Sequence, residues 1–475
     1  MAERSTITGS ADGNRAKWAA EIAATVRLAA PIALAFLAEI GIVVADAVMA
    51  GKLESPALSA EGLGSHLLFT PQLLAMGVLS SIAALGANAD GADDPAMVTR
   101  VARQGLWLAT LLAMPVMAVI ALTPFGLHWV SDDSDMIGMT SGMLRAGIWG
   151  VPALLWYTSL RNFSTVLHKT RIVVIISLVS LGVAICSNWL LLYGNLGAPK
   201  LGVTGVGVSW SLASWVQLGI MWAYVRREPL LARYRVLSNL LHADARVLKD
   251  LFHVGWPISM SYAFETAMFL ASTLMMTMLG RDDVGAHTVV ISISSVSYMI
   301  PYGVSQAATV RVGFFTGAAN PASARTAGFA AIVLGIIWMT MTGAAMLVFP
   351  RFLIGLYFDA YDPENAAQLA VALLIIPIGA LFQVVDGLQC VAIGALRGLK
   401  DTRIPMIMCF IGYCAIGIAA SLLLTFVLGL GARGVWLGLL IGLTASGGLL
   451  TLRFQILSRR LAEDGRAGLA VVSRA

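Results

Sequence analysis

Charge is what this sequence has least of. Asp, Glu, Lys and Arg make up 12% of its 475 residues against 58% hydrophobic. That balance excludes a soluble globular domain, whose composition carries roughly a quarter charged residues. Cysteine is scarce too: Cys186, Cys390, Cys409 and Cys414 all fall within apolar stretches and show no zinc spacing. They read as small buried apolar residues rather than a disulfide framework. The six histidines, His66, His128, His168, His242, His253 and His287, are scattered, so no transition-metal site is expected. A GxxxxGK[ST] loop is missing, which excludes ATP hydrolysis through a P-loop. There is neither a filter-like repeat nor a span dense in regularly spaced Arg, which argues against a voltage-gated channel. The polar start MAERSTITGSADGNRAKWAA lacks the apolar core of a cleavable signal.

What the chain has instead is apolar runs of about 20 residues or more, long enough to cross a hydrocarbon core of roughly 30 Å. Twelve begin near Leu28, Gly62, Val101, Met139, Ile172, Gly202, Leu251, Ala286, Ala327, Ala366, Pro405 and Gly434. Long uninterrupted runs, unlike the alternation of a barrel, predict an all-α polytopic membrane protein. With a cytoplasmic N-terminus, 25 of the 31 Lys and Arg fall on the cytoplasmic side. The net charge of +5 is therefore a topology signal rather than a nucleic-acid surface. A multi-pass protein of the inner (plasma) membrane with both termini cytoplasmic is expected, acting as a monomer and without a nucleic-acid partner.

Shifting the chain against itself by 226 positions aligns Pro31 with Pro257, Glu39 with Glu265, Met49 with Met275, Gly77 with Gly303, Pro95 with Pro321 and Pro124 with Pro350. Beyond Pro124 the register slips by a few residues, yet LGVTGVGVS (201–209) still resembles LGARGVWLG (430–438). Two six-helix lobes follow, and because six is even they are related by a pseudo-two-fold along the membrane normal. The predicted division is a cytoplasmic tail (1–26), an N-lobe (27–225), a cytoplasmic connector (226–250), a C-lobe (251–457) and a second cytoplasmic tail (458–475). The connector reads as a short amphipathic helix, most simply a solvated link. The acid-rich NADGADDPA (88–96) hints at a calcium loop or a diphosphate site. Its repeat mate FTGAANPAS (315–323) keeps the turn residues without acids, so a turn is expected. DDSD (132–135) reads as solvated loop charge.

Acids inside spans carry more information. A carboxylate at the centre of a spanning helix costs about 2.5–3.5 kcal/mol on insertion scales. Four qualify: Glu39 and Asp46 in the first span, Glu265 in the seventh and Asp386 in the tenth. Glu39 and Asp46, two turns apart, share a helix face, and Asn188 of the fifth span is the amide expected to join them. With no Lys or Arg placed at their depth, these acids read as proton, cation or substrate sites rather than structural glue. Like-charge coupling between Glu39 and Asp46 is expected.

These residues sit in motifs with a family resemblance: DAVMAG (46–51), NWLLLYGNLGAPKLGVTGVGVS (188–209), IPYGVSQAATVRVGFFTGAANP (300–321) and DGLQCVAIGALRGLKDTRIP (386–405). From about Arg27 to Arg460 the chain resembles the multidrug and toxic compound extrusion (MATE) family in its bacterial NorM-type branch. The resemblance implies twelve transmembrane helices in two lobes around a central cleft. It implies a secondary active antiporter, not an enzyme, that exports amphipathic, often cationic drugs in exchange for Na⁺ or H⁺ by alternating access and needs no other cofactor. It places the cation-coupling site at Glu265 and Asp386 and an N-lobe proton or substrate site at Asp46. Glu39 departs from the family pattern, where Gln is common. Two other functions would leave different marks. A lipid-linked sugar or lipid flippase of related fold should carry basic residues within its cleft. A membrane-embedded prenyltransferase-like enzyme should carry clustered acids at a membrane edge.

Overall fold

The computed structural model describes residues 11–472 apart from 54–55, 128–131, 239, 241 and 360–361. The outer ends of both predicted tails lie outside the described residues. Among the described residues there is no strand, and each of the twelve apolar runs is helical. They are α1 (Ala11–Ala50), α2 (Ala57–Gly91, with a turn at Ser80), α3 (Pro95–Gly126) and α4 (134–166). α4 consists of Ser134–Gly147 and Val151–Val166 joined by a 3-10 turn. Then follow α5 (Arg171–Tyr193), α6 (Val203–Arg227), α7 (Ala245–Leu279), α8 (Arg281–Gly317), α9 (Pro321–Val348), α10 (Ala366–Gly398), α11 (Arg403–Val427) and α12 (Ala432–Val472).

Ten of the twelve are long and apolar enough to cross a membrane on length and composition alone. The other two, α4 and α6, carry more polar side chains, and burial explains them. In Val151–Val166 almost every residue is buried, including Thr158, Ser159, Arg161, Asn162, Ser164 and Thr165. Polar side chains in a membrane bundle are tolerated where they face protein rather than lipid.

The duplication is written in the backbone. Left-handed residues recur at the repeat spacing: Asp93 and Ala319 (φ 55° and 51°), His168 and Lys400 (58° and 61°), Gly202 and Gly431 (57° and 56°). The acid-rich turn is a helix cap. Asp94 accepts from Met97 N at 2.9 Å to start α3, and its mate Asn320 accepts from Ser323 N at 3.1 Å to start α9. Asp133 does the same for α4, accepting from Asp135 N and Met136 N.

Two compact units result. The N-unit comprises 34–269 and 400–410; the C-unit comprises the described residues up to Ala33, 270–399 and those from 411 on. The units thus cross the sequence halves, since α1 and α7 each belong partly to one and partly to the other. Small residues show why. In the N-unit a Cβ on Gly77 of α2 would lie 2.8 Å from the Cα of Ser259 on α7. In the C-unit a Cβ on the mate Gly303 of α8 would lie 2.8 Å from the Cβ of Ala33 on α1. Such contact needs glycine, and it brings helix backbones close enough to pack without a hydrophobic drive. Within the C-unit α8 also zips onto α10, through Ser305 Oγ to Cys390 O (2.6 Å) and Thr309 Oγ1 to Gly394 O (2.9 Å).

Two polar segments differ from expectation. The stretch before Leu28 is helical from Ala11, and its Glu21 is buried. Between the end of α6 and the start of α7 the described part of the connector is helical only over Pro229–Ala232, and it is docked rather than solvated. Leu231 and Val236 are buried against α3 and α4, while Trp107 Nε1 and Gln104 Nε2 donate to the carbonyls of Leu240 (2.6 Å) and His242 (2.9 Å). Its apolar residues lie among arginines, so charge density concealed the packing face.

Candidate functional site

Asp46 lies four residues before the end of α1 and is 5% exposed. Its carboxylate accepts a short hydrogen bond from the Nδ2 of Asn188, which is fully buried on α5. The two helices run parallel in fixed register: Gly41 lies against Leu181, and Tyr193 Oη donates to Met49 O at 2.8 Å. Among the described residues no Lys or Arg forms an ion pair with Asp46. The group that bears on it electrostatically is an acid, Glu61 of α2, buried and accepting from Ser65 Oγ at 2.6 Å. Glu61 escaped notice in the sequence because it stands just before the apolar run that opens near Gly62. A helix start there looks like surface until the tertiary fold covers it.

Glu39 corrects the premise on which the four acids were grouped. A basic residue does stand at its depth: Arg161 of α4 reaches it, Nη1 to Oε1 at 3.3 Å. The guanidinium is also held over the rings of Phe36 (5.1 Å) and Tyr157 (5.6 Å). In sequence Arg161 counts toward the cytoplasmic loop after the fourth span, but α4 runs on to Val166 and buries it. Glu39 and Asp46 do share the same stretch of α1, yet each answers to a different partner, Arg161 for one and Asn188 with Glu61 for the other.

Asp386 is buried midway along α10 in the C-unit, flanked on its helix by buried Gln383 and Gln389. Thr342 of α9 donates to Gln383 at 2.6 Å, and Tyr413 donates to Gln389 at 2.5 Å. Tyr413 sits in a π-helical stretch of α11, Phe410–Ile418; such irregularities accompany functional sites. Glu265 is half-buried on α7 and belongs to the N-unit. Gln383 and Gln389 were legible as polar residues at helical spacing around Asp386; the π-helix was not.

A family model, MatE, matches the chain twice, over residues 31–190 and 257–423. The matches begin 226 residues apart, at the repeat spacing already found. The chain belongs to the MatE family. Its members are transporters, so the chain is not an enzyme. Among similar proteins, the multidrug resistance protein NorM of Burkholderia vietnamiensis is 36% identical over 91% of this chain and 93% of its own length. A probable multidrug resistance protein NorM of Mesorhizobium japonicum is 35% identical over 92% and 94%. Solved structures agree on the fold. A eukaryotic MATE transporter superposes with TM-score 0.82 at 20% identity, covering 94% of this chain and all of that one. An outward-facing multidrug resistance MATE family transporter gives 0.84 at 18%, covering 93% and 96%. The MatE fold of this chain is thus a multi-pass membrane bundle of twelve helices in two six-helix lobes.

Proposed function

We propose that this protein is a secondary active exporter of amphipathic, often cationic compounds, driven by exchange for H⁺ or Na⁺. The observation that carries it is the buried Asp46–Asn188 pair with its acidic neighbour Glu61 and no basic partner. A protonated Asp46 is neutral and cheap to bury; a deprotonated one attracts a cation, and that difference ties substrate binding to ion release. Asn188 turns its amide NH₂ toward the carboxylate, which suits a group that gains and loses a proton. Glu265 and Asp386 serve as the cation-coupling groups on this reading, as the resemblance implies.

The relatives named as multidrug resistance proteins support small-molecule cargo. The protein would sit in the inner membrane with both termini cytoplasmic, as the distribution of Lys and Arg supports, and would work as a monomer. A flippase is less favoured: the buried basic residue it requires is there in Arg161, but that charge is taken up by Glu39. The deciding experiment uses proteoliposomes loaded with a cationic fluorescent dye under separately imposed H⁺ and Na⁺ gradients. Gradient-driven efflux that is lost in Asp46→Asn is expected. Full transport by that variant, or no efflux under either gradient, would refute the assignment.

A further inference from the structure

The N-unit contains a second polar station on the same helix as Asp46. Glu39 lies seven residues earlier, about 10 Å along the axis at 1.5 Å per residue. Between the two acids α1 is apolar: Ile42 packs with Ala184 of α5 and Ala213 of α6, backed by Leu181 and Val183. This small cluster forms a collar one turn from each acid. The α1/α5 register that pairs Asp46 with Asn188 sets Ser180 near the level of Glu39 and Ala184 at the collar. Ser177, Ser180, Ala184 and Asn188 recur at helical spacing on the buried face of α5.

On the Glu39 side of the collar, polar atoms outnumber their partners. Tyr157 Oη, Ser177 Oγ and Ser180 Oγ are all on fully buried residues; Ser180 Oγ has no hydrogen-bond partner, and the contacts among Tyr157, Ser177 and Arg161 fall short of well-aligned hydrogen bonds. Tyr157 faces both Ser177 and Arg161. On the other side, Asn188 Oδ1 is likewise without a partner. A buried hydroxyl left unsatisfied costs about 1–3 kcal/mol, and ordered water is the usual remedy where several polar atoms converge. Glu39 itself keeps 29% of its side-chain surface uncovered by protein, so the station is not sealed.

We propose that Glu39, Arg161, Tyr157, Ser177 and Ser180 form a second, water-holding proton station, separated from Asp46–Asn188 by the Ile42 collar. The proposal rests on Asp46 being an exchange site. In the transfer, the proton leaves an Asp46 carboxylate oxygen for a water in the collar, and that water passes a proton to a Glu39 oxygen. Asp46 becomes an anion as Glu39 becomes neutral, so no charge is created. Arg161 and Tyr157 are the charged and titratable groups facing Glu39, and Glu61 is the one acting on Asp46. Arg161 sets the direction. Its cation favours the ionised Glu39 against the burial that disfavours it, so loosening the ion pair favours the proton. With the collar dry the stations exchange nothing, which keeps an exporter from leaking protons between substrates.

The test needs no drug. Proteoliposomes enclosing a pH dye are given an imposed membrane potential, and proton entry is followed. Wild type should be tight, and Ile42→Ser, which wets the collar, should raise proton flux several-fold. Adding Glu39→Gln or Asp46→Asn to Ile42→Ser should return the flux to baseline. An Ile42→Ser flux equal to wild type, or one that persists with Glu39→Gln, overturns the proposal. Should Ile42→Ser lose its cooperative melting transition, Ile42→Val gives the same readout with a milder widening. A wild type that exports under neither gradient would fail the transport assay above and leave this measurement intact.

Discussion

The two repeats place different chemistry at matching positions. In the C-unit Glu21 of α1 and Arg311 of α8 form a two-pronged ion pair, Nε to Oε1 and Nη2 to Oε2 both at 2.6 Å. Their repeat mates are Val247 and Leu85, which belong to one apolar core of the N-unit. Near the other end of the same helices it is the N-unit that carries the acids. Asp46 and Glu61 of the N-unit correspond to Ser272 and His287 of the C-unit, where both Ser272 (3.5 Å) and Thr273 (3.3 Å) approach His287 Nε2. A duplicated fold therefore keeps its turns, caps and glycine contacts while its polar pairs diverge. The physical reason is that a satisfied ion pair and an apolar pair of similar volume fill a helix interface almost equally well. Backbone geometry is under no such freedom.

The largest test of this asymmetry is functional. Asp46→Asn should stop gradient-driven export, whereas Ser272→Ala, at the matching position, should leave it near wild type; equal damage from both would mean the stations are not distinct. Next comes a transplant. Glu21→Val alone strands a half-buried Arg311 and should cost about 1–3 kcal/mol in detergent unfolding. Glu21→Val with Arg311→Leu copies the N-unit pair and should recover most of the loss; failure to recover would give the ion pair a role beyond packing. The glycine contacts should behave alike. Gly77→Ala and Gly303→Ala each force a Cβ against a neighbouring helix and should each cost about 1–3 kcal/mol, so a tolerated substitution in one repeat would break the symmetry of packing. Smaller again are the caps, where Asp94→Ala and Asn320→Ala should each cost about 1 kcal/mol.

The smallest effect belongs to Lys169, a half-buried lysine bonded to Glu228 at 2.5 Å. That bond raises the lysine's pKa above its usual value. A raised pKa stabilises the fold fully below the unfolded-state value and loses that stability only as pH climbs through the folded one. Lys169→Met should therefore lower the melting temperature slightly and equally across the neutral range, the difference from wild type closing only in strong alkali.

How much of the site was legible depended on whether a residue's depth could be told from its neighbours in the chain. Asp46 and Asn188 each stand within long apolar runs, so their burial followed from sequence and their contact from chemistry. Arg161 stands six residues before a basic loop and Glu61 at the start of a run, and both look superficial in one dimension. Glu21 lies in a stretch with Arg15, Lys17 and Arg27 that reads as a tail, yet the fold lays it against α8. Residues near helix ends are ambiguous because a helix that outruns its apolar stretch can still be covered by protein.

By itself the sequence determined the helical membrane architecture, since runs of that length and apolarity have no other way to satisfy their backbone in lipid. It determined the duplication as well, because prolines, glycines and capping residues tie backbone geometry to position. Only the tertiary structure decided which charges meet. Glu39 with Arg161, Glu21 with Arg311 and Glu61 near Asp46 each join residues from different helices, and helix register and rotation are set by packing over the whole unit. A side chain a few ångströms away across an interface can be 122 or 290 residues distant along the chain, as these ion pairs are. Local sequence holds no record of that approach.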